Sequence, residues 1–297
     1  GKAVAADVAA KMKEMLEEKE NISVIFASAP SQNEFLDHLR KDDGIPWERI
    51  ICFHLDEYVG IPADAPQSFS SYLQERLFRY RKPKQFHMID GLNDPAAECA
   101  RYANLLAAQP IDICCIGIGE NGHIAFNDPH VADFRDPHPV KVVDLDETSR
   151  RQQVNDGCFA TLDEVPKEAV TLTIPTIMSA AAIFCTVPGE RKSAAVRNAV
   201  RGPVSPQCPA SVLRQAKEAE CTWTGKVRRY YRLYRQRYTV IYRRGHRGNA
   251  RHTIHNMVVP NIVFCNCLGT DPLNGHPVQP GMRKHTGKLL WGKNASQ

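Results

Sequence analysis

Hydrophobic residues follow two different periods along the first 215 residues of the chain. Residues 2–19 place an apolar side chain at every fourth position from Val4 to Leu16, which predicts an amphipathic helix. Short continuous apolar runs bounded by turn residues instead predict strands buried on both faces of a parallel sheet. These runs lie at 22–27, 49–55, 111–118, 140–143, 170–174 and 182–187.

Further helices are predicted between these strands. They cover 32–40, 67–78, 95–108 and 188–200. Strands that alternate with helices predict an α/β fold, a single domain with a doubly wound parallel sheet and helices on both faces. Ligands of such sheets bind beyond the carboxyl ends of the strands, so polar residues at those ends are candidates for a site.

One such strand end lies in the stretch 111–129, IDICCIGIGENGHIAFNDP. Its apolar run ends in glycines, and His123 follows close to Asn121 and Asp128. A lone His is more often a hydrogen-bonded structural residue than a catalyst. Its position in a glycine-flanked loop directly after a buried strand nevertheless favours a place in the site.

Two adjacent carboxylates, Asp56 and Glu57, follow the apolar run 49–55. Partial burial and mutual repulsion can raise the pKa of one carboxyl in such a pair towards neutrality, which suits proton transfer. The alternative is that one carboxylate caps a turn and the other is solvated.

Two further strand ends have features of an anion site. The loop Ser28-Ala29-Pro30-Ser31 opens a predicted helix, whose N-terminus could bind a phosphate, although Ser31 could equally be a simple N-cap. Lys192 lies in the first turn of another helix, where its charge opposes the helix dipole. A bound anion is one reason for a lysine at that position, and a solvated lysine is the other interpretation.

The composition is that of an ordinary globular protein, with 43% hydrophobic and 24% charged residues among 297. No apolar run reaches the roughly 18 to 20 residues of a membrane span, and no secretory signal opens the chain. Several of the ten cysteines lie within apolar runs, which favours free thiols and a cytoplasmic protein. The chain begins at Gly1 and is already helix-like by Val4, so we expect that its natural start is missing.

Motifs for common cofactors are missing from the sequence. It contains no GxGxxG or P-loop motif and no paired CxxC pattern for zinc. We therefore expect neither a nucleotide cofactor nor a metal ion.

The net charge of +5 combines two unlike parts of the chain. Of the 38 Lys and Arg, 14 lie in residues 221–297 beside one acid, Asp271, which leaves 24 basic and 32 acidic residues elsewhere. A basic tail with interleaved Tyr and Arg is typical of nucleic-acid binding. We favour a different explanation, given below, and expect no nucleic-acid partner.

Three motifs, in this order, resemble the glucosamine-6-phosphate deaminase/isomerase family, which is related to the 6-phosphogluconolactonases. They are FHLDEYVGIPADAPQSF at 53–69, GIGENGHIAFNDP at 117–129 and PGERK at 188–192. The likeness covers about residues 1–214. It implies a Rossmann-like sheet, no cofactor, and conversion of the sugar phosphate glucosamine 6-phosphate to fructose 6-phosphate and ammonia.

The resemblance also implies roles for single residues. Asp56, with Glu57 beside it, matches the base that moves a proton between C2 and C1, and His123 matches the imidazole that assists ring opening. Asn121 and Asp128 stand where the family places two acids that partner this His. The implied substrate-binding residues are Ser28, Ala29, Ser31, Gly119 and Lys192.

The chain departs from the family pattern at the partners of His123, at the phosphate-binding Arg and in the phosphate loop, which is Ala27-Ser28-Ala29-Pro30 where the family has Thr-Gly-Ser-like residues. Asn121 cannot ionise and Asp128 is one methylene shorter than the usual Glu, which implies a changed environment for His123. The phosphate-binding Arg of the family has no clear counterpart, and Arg150 or Arg151 is the candidate substitute. A lactonase of the same fold or a sugar-phosphate-binding regulator remains an alternative, and a homo-oligomer is left open.

Residues 215–297 do not resemble the end of the family. A one-base shift in the codons of residues 220–227 permits the translation Met-Tyr-Leu-Asp-Arg-Glu-Ser, which is close to the family's usual ending. We therefore predict a frameshift between about Leu213 and Cys221, a poorly ordered tail beyond it, and no function for its pairs Cys265 with Cys267 and His252 with His255. Sequencing the gene across this point tests the prediction.

Overall fold

The computed structural model describes residues 1–223, 229–234 and 238–239, with backbone only after residue 222. The tail pairs Cys265 with Cys267 and His252 with His255 lie outside the described residues. The helices of the described part are α1 (Lys2–Glu18), α2 (Asn33–Leu39), α3 (Phe69–Leu73), α4 (Pro95–Ala107), α5 (Glu147–Asn155), α6 (Ile174–Met178) and α7 (Ser193–Arg201).

Each predicted helix is present, with its ends shifted by a few residues. The predicted segment 67–78 is divided, because α3 continues into a π-helical turn at Gln74–Phe78. The helices α5 and α6 were not predicted. α5 has few apolar residues to reveal its period, and α6 is only five residues long.

The strands are β1 (Ile22–Phe26), β2 (Ile50–His54), β3 (Asp56–Tyr58), β4 (Gln85–Phe86), β5 (Ile113–Ile116), β6 (Val140–Asp144), β7 (Glu168–Leu172), β8 (Ala182–Val187), β9 (Glu218–Trp223), β10 (Arg229–Tyr234) and β11 (Tyr238–Thr239). Six of them form a parallel sheet in the order β9-β8-β5-β1-β2-β4, and β10 and β11 continue it antiparallel beside β9. The predicted α/β fold with a doubly wound parallel sheet is therefore confirmed.

The central strands are buried on both faces, as their apolar runs predict. In β1, Val24 and Phe26 pack with α1 and α2, whereas Ile25 between them packs with α4 on the opposite face. Alternate side chains of one strand thus belong to two different hydrophobic clusters. No helix among the described residues is long and apolar enough to cross a membrane.

Two predicted strands do not belong to the parallel sheet. β6 and β7 form a separate antiparallel sheet with β3, in the order β3-β7-β6. Their assignment to the parallel sheet was wrong. Along β6 only two of five residues are buried, a half-covered pattern that suits an antiparallel sheet with one solvated face.

β9 lies within the region that the sequence analysis assigned to the tail. Its backbone pairs in parallel with β8, with Ile183 beside Ala219 and Cys185 beside Cys221. Residues 218–223 thus complete one edge of the parallel sheet. The frameshift and the boundary near residue 214 stay predictions.

Candidate active site

Four strands of the parallel sheet end at the same edge, and the loops that follow them form one cleft. These loops come after β1, β2, β5 and β8. The cleft is lined by seven of the ten residues predicted for the site: Ser28, Ala29, Ser31, Asp56, Gly119, His123 and Lys192. The other three, Glu57, Asn121 and Asp128, lie behind this lining.

Asp56 presents its carboxylate to the cleft. It lies in β3, which pairs with β7 so that Asp56 is beside Thr171. Asp56 is only 8% exposed, and its side chain makes no hydrogen bond or ion pair with any other described residue. Burial raises the pKa of the Asp56 carboxyl well above its ordinary value, and the charge of Glu57 raises it further. A carboxylate of this kind is a strong base for its type.

Glu57 has the opposite environment. Its fully buried carboxylate accepts hydrogen bonds from the backbone N–H groups of Tyr58, Phe69 and Ser70 at 3.0–3.1 Å. The hydroxyl groups of Ser68 and Ser70 donate to it at 2.7 and 3.0 Å. Glu57 therefore fastens the start of α3 to β3, and it does not reach the cleft.

The imidazole of His123 is oriented by a hydrogen-bonded group that we call the His123 network: His123, Asp128, Ser149 and Asn121. His123 Nδ1 lies 2.9 Å from Asp128 Oδ1 and 2.9 Å from Ser149 Oγ. The Ser149 hydroxyl also donates to Asp128 Oδ1, which assigns the Nδ1–H tautomer to His123. Nε2 on the other side of the ring is left for the cleft.

Asp128 remains charged within this network although it is fully buried. Burial alone would raise the pKa of Asp128, but its hydrogen bonds and charge interaction with His123, and its bonds from Asn121 and Ser149, hold the pKa below its ordinary value. Asn121 Nδ2 donates to Asp128 Oδ1 at 2.8 Å, while Asn121 Oδ1 accepts from the backbone N–H of His123 at 3.0 Å. Asn121 thus orients both partners, and Asp128 supplies the charge.

Gly119 is required by the position of the imidazole. A Cβ atom at this residue would lie 2.2 Å from both Cε1 and Nε2 of His123. Since no side chain tolerates such an approach, Gly119 lets the ring lie flat against the loop. Ala125, which also lines the cleft, has φ 51° in the left-handed region, a strained conformation for a residue with a side chain.

The other end of the cleft, which we call the anion end, consists of residues 28–31 and Lys192. Among the described residues, no acceptor bonds the backbone N–H groups of Ser28, Ala29 and Ser31. The Ser28 hydroxyl and Oε1 of Gln32, both on the cleft wall, are buried and have no hydrogen-bond partner among the described residues. Buried polar groups without partners are costly, and a bound phosphate would accept from the Ser28 hydroxyl and the three backbone N–H groups.

Lys192 is the cation of the anion end. It is 7% exposed, and no carboxylate among the described residues lies within ion-pair distance of it. The acids nearest to it are engaged by Arg191, which bonds Asp156 at 2.7 Å and lies 3.6 Å from Glu120. Burial lowers the pKa of the Lys192 ammonium, and the charges of Asp156 and Glu120 oppose this effect.

Sequence reasoning missed the contribution of α5 to the site. Ser149, Gln152 and Gln153 lie on its inner face, and the two glutamines line the cleft. The candidates Arg150 and Arg151 lie elsewhere: Arg150 bonds the carbonyls of Leu162 and Val165, and Arg151 pairs with Glu147 at the surface. The start of α5 could have been predicted from Asp146, a residue type that often caps helices. Its side chain accepts a hydrogen bond from the backbone N–H of Ser149 at 2.7 Å.

One group in the described part of the chain has potential metal ligands close together. Atoms of Asp128, His130 and Asp146 lie within 4.8 Å of one another. Asp128 and Asp146 already bind His123, Asn121 and the backbone of Ser149. This group therefore helps to orient His123.

The chain matches one protein family over most of the described residues. The family is described as glucosamine-6-phosphate isomerases/6-phosphogluconolactonase, and the match covers residues 1–223. A glucosamine-6-phosphate deaminase of Lactobacillus delbrueckii subsp. bulgaricus is 38% identical over 172 residues, 58% of this chain and 71% of the relative. One of Bacillus cereus is 35% identical over 205 residues, 69% and 76% of the two chains.

Solved structures show the same relationship. A monomeric glucosamine-6-phosphate deaminase superposes with a TM-score of 0.67 at 31% identity, and the match covers 73% of this chain and 90% of the other. A 6-phosphogluconolactonase of Thermotoga maritima superposes with a TM-score of 0.57 at 23% identity over 69% and 87% of the chains. The second likeness shows the fold alone.

Proposed function

Since the chain belongs to the glucosamine-6-phosphate isomerase/6-phosphogluconolactonase family, we propose that it converts glucosamine 6-phosphate and water to fructose 6-phosphate and ammonia. One observation carries this function: a single cleft contains an unpartnered carboxylate, an oriented imidazole and an anion end. An aldose–ketose conversion of a phosphorylated sugar requires these three parts.

The anion end binds the phosphate of the substrate. The backbone N–H groups of Ser28, Ala29 and Ser31 and the ammonium of Lys192 supply the donors, and a phosphate surrounded by them needs no further cation. This contact is remote from the reacting carbons. Its binding energy therefore fixes the sugar in register with the other end of the cleft.

His123 opens the sugar ring by proton exchange with the ring oxygen through Nε2. Its Nδ1–H is held by Asp128 and Ser149, so Nε2 has a fixed direction. The charge of Asp128 stabilises the imidazolium that forms when Nε2 takes a proton.

Asp56 moves a proton between C2 and C1 of the open-chain sugar. Its carboxylate removes the proton from one carbon and returns it to the neighbouring carbon, and water replaces the amine at C2 as ammonia leaves. A carboxylate that no other described residue bonds, and whose pKa is raised, is suited to accept a carbon-bound proton.

The deaminase is favoured over a lactonase of the same fold. The relatives above 30% identity are named as deaminases, whereas the lactonase structures resemble this chain in fold only. Ammonia release from glucosamine 6-phosphate, compared with acid release from 6-phosphogluconolactone, tests this assignment. Turnover of the lactone alone would overturn it, and binding without turnover of either substrate would favour a regulator.

We place the enzyme in the cytoplasm as part of this proposal. The eight cysteines of the described residues are all free thiols, as is usual in a reducing compartment. A homo-oligomer remains a prediction without a test in the structure.

A further inference from the structure

The helix α5 runs along the cleft from one end to the other. At its start, Ser149 Oγ lies 2.9 Å from Nδ1 of His123. Directly after its end, Asp156 bonds Arg191, the neighbour of Lys192 in the chain. Residues on the inner face of the middle of α5 therefore lie between the group that opens the ring and the group that binds the phosphate.

Two glutamines occupy this middle position, but only one of their side chains bonds other described residues. Gln152 Oε1 accepts from the backbone N–H of Glu120 at 3.0 Å, and its Nε2 lies 3.5 Å from Asp156 Oδ2. Gln153 is equally buried, at 8% exposed, and lines the cleft. Its amide makes no hydrogen bond to any described residue, so one carbonyl and one NH₂ group face the cleft unused.

The distance along α5 suits the middle of a hexose. Gln153 follows Ser149 by one helical turn, a rise of about 6 Å. In a glucosamine 6-phosphate that spans the cleft, C1 and C2 lie near Asp56 and His123, and the phosphate lies at Lys192. The hydroxyl groups on C3 and C4 are then opposite Gln153, and an amide can both donate to and accept from a hydroxyl.

We propose that Gln153 is a specificity-determining residue that hydrogen-bonds the C3 or C4 hydroxyl of the sugar phosphate. This inference rests on the proposed function and adds to it the part of the substrate between the reacting carbons and the phosphate. A site that pairs a buried amide with a substrate hydroxyl discriminates against sugars that lack this hydroxyl, because the amide is then left unpaired.

The test measures binding without turnover, in the Asp56→Asn background, by calorimetry. The ligands are glucosamine 6-phosphate and its 3-deoxy and 4-deoxy analogues. Adding Gln153→Ala should weaken binding of glucosamine 6-phosphate roughly 5- to 30-fold. To the Asp56→Asn protein, one deoxy analogue should bind less tightly than glucosamine 6-phosphate. To the double variant with Gln153→Ala, that analogue and glucosamine 6-phosphate should bind equally tightly.

Two further variants make the result specific. Arg151→Ala lies on the exposed face of the same helix and should leave all three affinities unchanged. Gln153→Met keeps about the length of the side chain, removes both hydrogen-bonding groups without adding a charge near the phosphate, and should also weaken binding, which separates the contact from damage to α5.

The inference is overturned if Gln153→Ala binds glucosamine 6-phosphate as tightly as Arg151→Ala does. It is also overturned if removing a hydroxyl from the sugar weakens binding by the same factor in the protein with Gln153 and in the protein with Gln153→Ala, for both deoxy analogues. Failure of the sugar phosphate to bind at all would overturn it as well. Absence of ammonia release by the unmodified protein would instead remove the proposed function, while these affinities would still measure the role of Gln153.

Discussion

The two ends of the cleft differ in how completely their polar groups are hydrogen-bonded. In the His123 network, His123 Nδ1, the Ser149 hydroxyl and the Asn121 amide all bond Oδ1 of Asp128, and its buried Oδ2 is the atom left without a partner among the described residues. At the anion end, the loop N–H groups, the Ser28 hydroxyl and the Lys192 ammonium have no partner among the described residues. The first arrangement orients a side chain, and the second is ready to receive a ligand.

The adjacent residues Asp56 and Glu57 repeat this difference within one strand. Glu57 accepts five hydrogen bonds and stabilises the fold, whereas Asp56 accepts none from the described residues and faces the cleft. Identical chemistry at neighbouring positions thus serves opposite purposes. The variants below test whether unpartnered groups act on the substrate and partnered groups act through position or stability.

The largest effect is expected for Asp56→Asn, which should lower kcat by about 10³-fold or more because the base is lost. The same variant should unfold at a higher temperature near neutral pH. The pKa of Asp56 is raised in the folded state, so its ionisation destabilises the fold. This destabilisation is absent below the pKa of the unfolded state and grows as the pH rises towards the pKa of the folded state. Ammonia release and thermal melts at several pH values measure both; an unchanged kcat removes Asp56 from its role.

Glu57→Gln should have the opposite effect on stability: it should destabilise the fold. The amide cannot accept all five hydrogen bonds, and its NH₂ group faces other donors, so unfolding should require about 3 kcal/mol less free energy. Urea denaturation measures the change, with the exposed Glu75→Gln as a control. A fully stable variant with the activity loss of Asp56→Asn would show that Glu57 acts in catalysis.

Asp128→Asn should lower kcat roughly 10- to 100-fold, because the side chain keeps its shape but loses the charge that orients and stabilises His123. The exposed Asp144→Asn serves as the matched control in the same ammonia-release assay. An equal loss in both variants would contradict a specific role for Asp128. KM should change less than kcat, since Asp128 does not line the cleft.

The smallest effect is expected for Lys192→Met, which should raise KM about tenfold and leave kcat within a few-fold. Arg197→Met, on the exposed face of α7, is the control. With glucosamine, which has no phosphate, kcat/KM of Lys192→Met should equal that of the unmodified protein. A fall in kcat with an unchanged KM would place Lys192 at the reacting carbons.

The sequence determined the parallel sheet and the edge at which the site lies. Apolar runs such as 111–118 favour strands covered on both faces, although the runs 140–143 and 170–174 belong to the antiparallel sheet, and parallel strands bring their carboxyl ends to one edge. The motifs at 53–69, 117–129 and 188–192 then indicated the family and contain four of the predicted residues that line the cleft, and the loop 28–31 after the first strand contains three more. These features are local in the chain, which is why they can be read from it.

The tertiary structure alone decided which polar groups meet. Asp56 and Glu57 are adjacent carboxylates at one strand end, and their different environments arise because Ser68, Ser70 and the start of α3 fold onto Glu57. Ser149 lies 26 residues from His123, on a helix without an apolar period that also carries Gln153. Only packing over that distance brings these side chains to the cleft, since hydrogen bonds between distant residues leave no pattern in the chain.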